Sequence, residues 1–284
     1  MSFVAERPFG GTTQGLRPQG STSSPREEEA LLPGGNTSDV TRIGATVRRP
    51  AGHWTPAVHE LLRYLEAAGF AESPRVLGVD EQGREVLSFI EGETTAEDPW
   101  PGWVWAEDTL VQAGQLLRRY HQVVAAFSSA RRRWLPAPAS VSPHQVVCHN
   151  DFAPYNVVYR NGRIVGMIDW DWAGPAAPEW DLAMAAYAWV PLFDPAVAAG
   201  LDPRPPTELG ARLRLLLDSY GLRDREGFVT LVADRVEASV EGIQALASQG
   251  WARYAALVET GHVTAMAGAV AHLRRSAAEL EAVV

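Results

Sequence analysis

The stretch that decides the fold spans residues 146–171 and reads VVCHNDFAPYNVVYRNGRIVGMIDWD. Two apolar segments of β type, at 156–159 and 164–168, flank an Asn-Gly pair, which is a strong signal for a tight hairpin turn. A polar loop precedes this hairpin, and an aspartate follows it. We therefore expect Asp151, Asn156 and Asp169 to lie close together.

These three side chains suit the chemistry of phosphoryl transfer. The reaction needs a divalent cation held by oxygen ligands against nucleotide phosphates, and a carboxylate that accepts the proton of the attacking hydroxyl. Asn156 and Asp169 are the candidate ligands for Mg²⁺, and Asp151, on the loop before Asn156, is the candidate base. His149 is expected to hold the loop by hydrogen bonding, and Cys148 is expected to be a small buried hydrophobe.

The spacing of these residues resembles a known pattern. His149-x-Asp151-x4-Asn156, followed thirteen residues later by Asp169, is similar to the catalytic loop and metal-binding aspartate of the protein-kinase fold. The residue sequences HNDFAPYN and IDWD are more similar to the motifs of the aminoglycoside phosphotransferase and choline kinase superfamily than to those of protein kinases. The resemblance implies a two-lobed α+β fold, with a small antiparallel-β lobe and a larger, mainly helical lobe. It also implies that ATP and Mg²⁺ are the cofactors.

Residues 27–90 carry the pattern expected of the small lobe. Short β-type segments at 30–32, 40–43 and 46–49 predict an antiparallel meander, and segments at 75–79 and 85–90 extend the sheet to five strands. Helical spacing of apolar residues predicts one helix over 56–68. The pair Gly34-Gly35 is either a plain turn or a glycine loop whose amides approach phosphates.

The resemblance implies further nucleotide contacts in this lobe. All 25 basic residues are arginine, so the strand cation, which is usually lysine in the superfamily, is expected at Arg48. The usual glutamate partner from the helix is not assigned, because Glu60 is available but His59 or Val58 lies nearer the expected place. Ser88 and Ile90 match the hinge that binds adenine through backbone groups, and an ordinary strand exit is the alternative.

Residues 91–284 are predicted to form the helical lobe with the catalytic loop and the acceptor site. Helical segments are expected at 106–127, 207–220, 225–249 and 252–283. Asp181 matches the superfamily aspartate that steadies the catalytic loop, although a helix first-turn aspartate is a competing interpretation. Asp171 has three open roles: contact with the metal, contact with the substrate, or a hydrogen bond within its loop. Four tryptophans are expected to pack in the core or the cleft wall: Trp172, Trp180, Trp189 and Trp251.

Composition bounds the remaining possibilities. The chain has 284 residues, 46% hydrophobic content and a net charge of −9, which suits a globular protein and argues against general nucleic-acid binding. One cysteine excludes a disulfide framework, and no apolar run long enough for a membrane span or secretory signal is present, so a cytoplasmic location is expected. Residues 1–26 are rich in small and polar residues and are predicted to be a disordered leader.

The sequence therefore predicts an ATP-dependent phosphotransferase that acts on a hydroxyl of a small molecule such as an aminoglycoside or another amino or sugar alcohol. A nucleotide-binding pseudokinase, acting as a sensor or immunity-type binding protein, is the alternative. A metal-dependent hydrolase fits less well, because no cluster of zinc or two-metal type accompanies the carboxylates. Residues 91–284 carry 23 acidic and 16 basic side chains, which favours a cationic acceptor over neutral sugars or nucleosides. No oligomeric state is indicated.

Overall fold

The computed structural model of the chain describes residues 29–32, 40–95, 100–128, 132–135, 144–200 and 208–284. A small antiparallel sheet with one helix forms the first part of the chain, and helices dominate the rest. This arrangement confirms the predicted α+β fold class. The predictions for Gly34, Gly35 and the leader at 1–26 fall outside the described residues.

The small lobe is a five-stranded antiparallel sheet with the order β1-β2-β3-β5-β4, as predicted. Its elements are β1 (Glu29–Leu31), β2 (Thr41–Ile43), β3 (Thr46–Pro50), α1 (Thr55–Ala67), β4 (Val76–Val79) and β5 (Arg84–Ser88). In the register of β3 and β5, Val47 lies opposite Leu87 and Arg49 lies opposite Glu85. Because side chains two apart share one face of a strand, Arg49 and Glu85 lie on the same face as this apolar pair.

Helix α1 forms because its apolar residues recur at helical spacing. Val58, Leu61, Leu62 and Leu65 are buried, and the opposite side of the helix is exposed. The helix begins with a proline in its first turn, where the missing N–H costs nothing, and Gly69 follows it with a φ of 77°.

The segment that carries Asp151, Asn156 and Asp169 follows the first long helix of the large lobe, α2 (Glu107–Val124). Its strands are β6 (Val146–Cys148), β7 (Val157–Arg160), β8 (Arg163–Met167) and β9 (Gly174–Ala176). Strands β7 and β8 form the predicted hairpin, with Asn161 and Gly162 at φ values of 51° and 78° in the turn. Two positive φ values are typical of the turn that Asn-Gly favours. Strand β6 pairs with β9, so the loop between β6 and β7 is held at its start.

The remaining helices are α3 (Pro178–Trp189), α4 (Pro195–Ala198), α5 (Leu209–Tyr220), α6 (Phe228–Ser248), α7 (Ala252–Glu259) and α8 (His262–Glu281). The prediction of one continuous helix over 252–283 is wrong. Gly261 adopts a φ of 82° between α7 and α8, and this left-handed residue ends the helical path.

Packing of the helices builds one continuous core. Helix α2 packs against α5, and α6 packs against α3, α7 and α8. The core runs from α1 through α2 to the catalytic loop, with Leu65, Leu117 and Phe152 among its fully buried side chains. At Gly114 of α2, an added Cβ would lie 2.9 Å from Ser219 Cβ of α5, so this close approach requires glycine.

None of the helices in the described ranges combines the length and the apolar character that a membrane span needs.

Candidate active site

Asp181 is the anchor of the catalytic loop. Its carboxylate is fully buried in the first turn of α3 and accepts hydrogen bonds from the backbone N–H groups of His149 and Asn150, both at 2.8 Å. His121 Nε2 of α2 lies 3.0 Å away. Burial disfavours the charged carboxylate, but these hydrogen bonds and the nearby histidines outweigh it and lower the pKa of Asp181. Asp181 therefore holds the backbone of the catalytic loop at His149 and Asn150.

His149 connects the loop to the turn that carries Asp169. Its Nε2 lies 3.0 Å from the carbonyl oxygen of Ile168, and because a carbonyl only accepts, this nitrogen carries the hydrogen. The ring is buried, and burial lowers the pKa of His149, so the neutral form is favoured. His149 is thus placed to hold the backbone at Ile168.

Asp151 has the surroundings of a general base. Its Oδ1 accepts a hydrogen bond from the Tyr155 hydroxyl at 3.1 Å, and its Oδ2 accepts one from Asn156 Nδ2 at 2.8 Å. Burial and the charge of Asp169 raise the pKa of Asp151 to about 7, although both hydrogen bonds act in the opposite direction. A carboxylate with a pKa near 7 has a proton affinity well matched to proton transfer at neutral pH.

Asn156 and Asp169 offer oxygen atoms for a divalent cation. Because Asn156 Nδ2 donates to Asp151, the amide oxygen Oδ1 points elsewhere, and neither it nor Asp169 Oδ2 accepts a hydrogen bond from the described residues. Asp169 has a φ of 59°, a left-handed conformation that is costly outside glycine and typical of functional sites. Its side chain is 35% exposed. Two hard oxygen donors, one on the buried Asn156 and one on the partly exposed Asp169, fit Mg²⁺, which would neutralise phosphate charge when bound.

The strand cation that faces this site is Arg49, and the expectation for Arg48 is corrected. Arg49 Nη1 lies 3.0 Å from Asp169 Oδ1. Arg48, one residue earlier, has its side chain on the opposite face of β3, where its Nη1 donates to the Thr46 hydroxyl. A shift of one residue along a strand moves the side chain to the other face, so the prediction failed by one position.

Three carboxylates surround the Arg49 guanidinium. Besides Asp169, it forms ion pairs with Glu85 of β5, at 2.6 Å through Nε, and with Asp171. Burial favours the neutral form of Arg49, but the carboxylates outweigh it and raise its pKa above the ordinary value. The cation is therefore permanently charged, and removal of one partner would leave buried charge without compensation.

Helix α1 supplies a histidine to this cluster where the superfamily usually has a glutamate. His59 Nε2 lies 2.9 Å from Glu85 Oε2. The carboxylate that pairs with Arg49 therefore comes from the neighbouring strand, and the helix residue His59 contacts the other oxygen of that carboxylate. Glu60 points away and pairs with Arg132 at 2.6 Å. A charged residue at an inward position of an apolar strand, as Glu85 is beside Leu87, was the available sequence signal.

The hinge between the lobes contains Ser88 and Ile90, the two residues expected to contact adenine through backbone groups. The Ser88 N–H donates to the carbonyl of Arg75 at 2.9 Å, so this amide is not free to bind a base. The backbone N–H and C=O of Ile90 make no hydrogen bond with the described residues. Just beyond, Gly92 has a φ of 156°, and an added Cβ would lie 2.6 Å from the carbonyl oxygen of Tyr159. The chain at Gly92 therefore requires glycine to pass this close to the hairpin.

Two arginines from distant helices complete the site and were not predicted. Arg235 of α6 is buried, and its Nη2 donates to the carbonyl of Asn150 at 2.6 Å. Burial lowers the pKa of Arg235, and no carboxylate among the described residues forms an ion pair with it. Arg253 of α7 pairs with Asp171 at 3.2 Å. The signal for Arg235 was a charged residue among the apolar positions of a helix, between Val232 and Val236.

One cluster with metal-type side chains lies beneath the loop but offers no free ligands. His121, Cys148 and Asp181 bring candidate ligand atoms within 4.8 Å of one another. Both oxygens of Asp181 accept hydrogen bonds, and the Cys148 thiol lies 3.5 Å from the carbonyls of Ala176 and Ala177. Burial raises the pKa of Cys148, so the thiolate that a metal requires is disfavoured. The cluster is structural.

Comparisons with known proteins identify a family, a related sequence and similar structures. The model of the phosphotransferase enzyme family matches residues 125–212. A trifolitoxin immunity protein from Rhizobium leguminosarum bv. trifolii is 42% identical over 210 residues, which span 71% of this chain and 78% of the relative.

Solved structures show the fold. A choline/ethanolamine kinase family protein from Mesorhizobium loti is 19% identical with a TM-score of 0.53, covering 87% of this chain and 94% of that one. The amicoumacin kinase in complex with AMP-PNP, Ca²⁺ and Ami is 14% identical with a TM-score of 0.58, covering 84% and 89%. The predicted two-lobed kinase-like fold is thereby confirmed. From its matching family model and its relative, the chain belongs to the phosphotransferase enzyme family, of aminoglycoside phosphotransferase type.

Proposed function

We propose that the protein transfers the γ-phosphate of ATP, with Mg²⁺, to a hydroxyl group of a small molecule. The observation that carries the proposal is Asp151, whose pKa lies at about 7 and whose carboxylate is oriented by Tyr155 and Asn156. The neighbouring oxygens of Asn156 and Asp169 are suitable for the metal. A protein that only binds nucleotide has no need of a base tuned to neutral pH.

The proposed reaction assigns a task to each of these groups. The acceptor hydroxyl attacks the γ-phosphorus and gives its proton to Asp151, while the bond between this phosphorus and the β,γ-bridging oxygen breaks and ADP leaves. Arg49, buried at the end of β3, is the cation for the phosphates. Asn156 and Asp169 would hold Mg²⁺, and the Ile90 backbone would contact adenine. Most of the catalytic effect in such a reaction comes from positioning and charge stabilisation.

The acceptor is proposed to be cationic. Residues 91–284 carry most of the acid excess of the chain, and in this fold they include the acceptor side of the cleft. A cleft with acidic walls concentrates cationic molecules and repels anionic ones. Phosphate transfer to matched cationic, neutral and anionic alcohols, measured at low and high salt, tests this. Preference for the anionic alcohol, or a cationic preference that salt does not change, would contradict the electrostatic argument.

A second candidate is an immunity-type protein that binds nucleotide without transferring phosphate. Two observations favour it: the 42% identical relative is named an immunity protein, and Arg49 forms an ion pair with the carboxylate expected to hold the metal. In the active alternative, nucleotide phosphates draw Arg49 away from Asp169. In the inactive one, the ion pair persists and excludes Mg²⁺.

One experiment separates the two candidates. The purified protein is incubated with Mg²⁺ and γ-labelled ATP, with and without a panel of amino and sugar alcohols, and release of ADP is followed alongside nucleotide binding. Turnover by the wild type that is lost in Asp151→Asn supports the phosphotransferase. Tight nucleotide binding with no turnover under any condition supports the binding protein. Asp234→Asn, on the exposed face of α6, serves as the control for a carboxylate change outside the site.

A further inference from the structure

Asp171 receives hydrogen bonds from both lobes of the protein. Its Oδ1 accepts from Arg49 of β3 and from the indole Nε1 of Trp54, at 2.9 Å for the latter. Its Oδ2 accepts from Arg253 Nη1 of α7 at 3.2 Å. The residue is only 6% exposed. Asp171 therefore joins the small-lobe sheet, the start of α1 and the C-terminal helices at one carboxylate.

This set of partners decides among the roles left open for Asp171. Two guanidinium groups and an indole N–H already use both oxygens, whereas Asp169 next to it keeps one oxygen without a protein donor. A buried carboxylate that is satisfied by two cations has little reason to bind a third. Asp171 is thus better suited to holding side chains in place than to binding the metal or the acceptor.

Arg253 is itself fixed by aromatic rings. Its guanidinium carbon lies 4.7 Å from the ring centre of Tyr254, 5.3 Å from that of Trp54 and 5.8 Å from that of Trp251. Its Nη2 also donates to the Tyr254 hydroxyl at 2.9 Å. Contacts of a guanidinium with aromatic faces are favourable and restrict its orientation. Arg253 can therefore act as a rigid anchor for Asp171.

We propose that Arg253 and Trp54 are positioning residues that act through Asp171 to place Arg49 for the nucleotide phosphates. The inference rests on the proposed function, in which Arg49 contacts those phosphates. Helix α1 gives Arg49 no carboxylate, since its residue at this place is His59, so the orienting contact falls to Glu85 and Asp171. Of these two, Asp171 is the one tied to the large lobe.

The direction of the effect follows from charge. Without Arg253, the full charge of Asp171 acts on Arg49 alone and holds it away from the phosphates. Without the Trp54 N–H, Asp171 loses a donor that fixes its orientation, with no change in charge. Both changes are expected to weaken binding of Mg²⁺-ATP without touching Asp151.

The test is a double-mutant cycle on the full-length chain. The dissociation constant of a nonhydrolysable ATP analogue with Mg²⁺ is measured by calorimetry for Arg253→Gln and Trp54→Phe, each in the wild type and in Arg49→Gln. We expect each variant to weaken binding by about tenfold in the wild type, as for loss of one charge-assisted hydrogen bond, and by less than about twofold in Arg49→Gln. Trp100→Phe removes the same ring volume at a place where the indole packs on Trp105 and not on Arg253 or Asp171, and it is expected to leave the affinity within about twofold.

Each result decides the inference. Additive losses in the Arg49→Gln background, or an equal loss in Trp100→Phe, would show that a general loss of packing and not the position of Arg49 weakens binding, and would overturn the inference. Should Arg253→Gln not fold, the Trp54→Phe cycle decides alone. A wild type that binds no Mg²⁺-nucleotide would overturn the proposed function together with the inference, whereas tight binding with additive losses overturns the inference only.

Discussion

The guanidinium of Arg49 lies 3.0 Å from Asp169 Oδ1, across the cleft between β3 and the turn after β8. The carboxylate that the superfamily pattern assigns to Mg²⁺ therefore forms an ion pair with an arginine of the protein itself. When nucleotide binds in the proposed reaction, the metal and the phosphates must replace this ion pair with two new ones. The affinity for Mg²⁺-ATP then depends on the difference in free energy between the ion pair that is lost and the contacts that are gained. Arg49 takes part in the lost ion pair and in the new contact with the phosphates.

The first prediction concerns the identity of the strand cation. Arg49→Gln is expected to weaken binding of Mg²⁺-ATP by about tenfold or more, because a buried charge at the phosphate site is lost. Arg48→Gln, the neighbouring residue on the other face of β3, should change it by less than about twofold. Calorimetric titration of both variants checks this, and a larger effect at Arg48 would contradict the assignment.

The second prediction concerns the base. Asp151→Asn is expected to reduce turnover by about a hundredfold or more, because general-base catalysis contributes this much. Binding of Mg²⁺-ATP should stay within about twofold of the wild type, since the group acts mainly in the transition state. Steady-state kinetics and calorimetry give the two quantities. Turnover equal to that of the wild type would exclude Asp151 as the base.

The third prediction concerns the pH dependence of turnover. A base must be deprotonated to accept a proton, and the pKa of Asp151 lies at about 7. The rate should therefore rise as pH increases from 5.5 to 7 and level off above about 8. Bound Mg²⁺ is expected to move the limb toward lower pH, because a nearby cation favours the carboxylate. A rate with no acidic limb in this range would oppose the assignment.

The fourth prediction concerns the free energy of unfolding, which is expected to fall with rising pH while turnover rises. Because the folded-state pKa of Asp151 lies above the unfolded value of about 3.9, its contribution to stability is present below the unfolded value and is lost as pH rises to about 7. Above pH 7 the ionised carboxylate costs on the order of a few kcal/mol. Asp151→Asn should therefore be more stable than the wild type, by more at pH 8 than at pH 5. Urea unfolding at the two pH values, without nucleotide, measures the difference, and an equal difference at both would count against the raised pKa.

The fifth prediction separates the metal ligand from the base. Asp169→Ala removes a charged oxygen from the place assigned to Mg²⁺ and frees Arg49 from one partner. Nucleotide binding should lose most of its dependence on Mg²⁺ in this variant and keep it in Asp151→Asn. The comparison is made by titrating the nucleotide at several Mg²⁺ concentrations. The same Mg²⁺ dependence in Asp169→Ala and the wild type would contradict the assignment.

Local patterns predicted the parts of the molecule that depend on neighbouring residues. The hairpin was predictable because Asn161-Gly162 specifies its turn without help from other segments. The prediction of a single helix over 252–283 is wrong because the apolar spacing is helical on both sides of Gly261. One residue with a positive φ barely changes that spacing, so the break is not visible in the sequence pattern.

Contacts between distant segments explain what the sequence did not reveal. Arg48 and Arg49 are adjacent arginines, and only the register of β3 with β5 decides which one faces the cleft. Glu85, Arg253 and Arg235 reach the site from separate elements, and no motif spacing links them to residues 146–171. Their assignment required the tertiary structure.

The catalytic loop and the strand cation are held by different lobes of the protein. Asp181, His121 and Arg235 hold the loop of Asp151 from α3, α2 and α6, all within the large lobe, whereas Arg49 is carried by the small-lobe sheet. Substitutions in the small lobe can therefore alter which nucleotide is used, or how tightly, while the proton acceptor keeps its geometry. In the proposed reaction, a changed contact between the small lobe and the phosphates therefore leaves the hydrogen bonds that hold the loop of Asp151 in place.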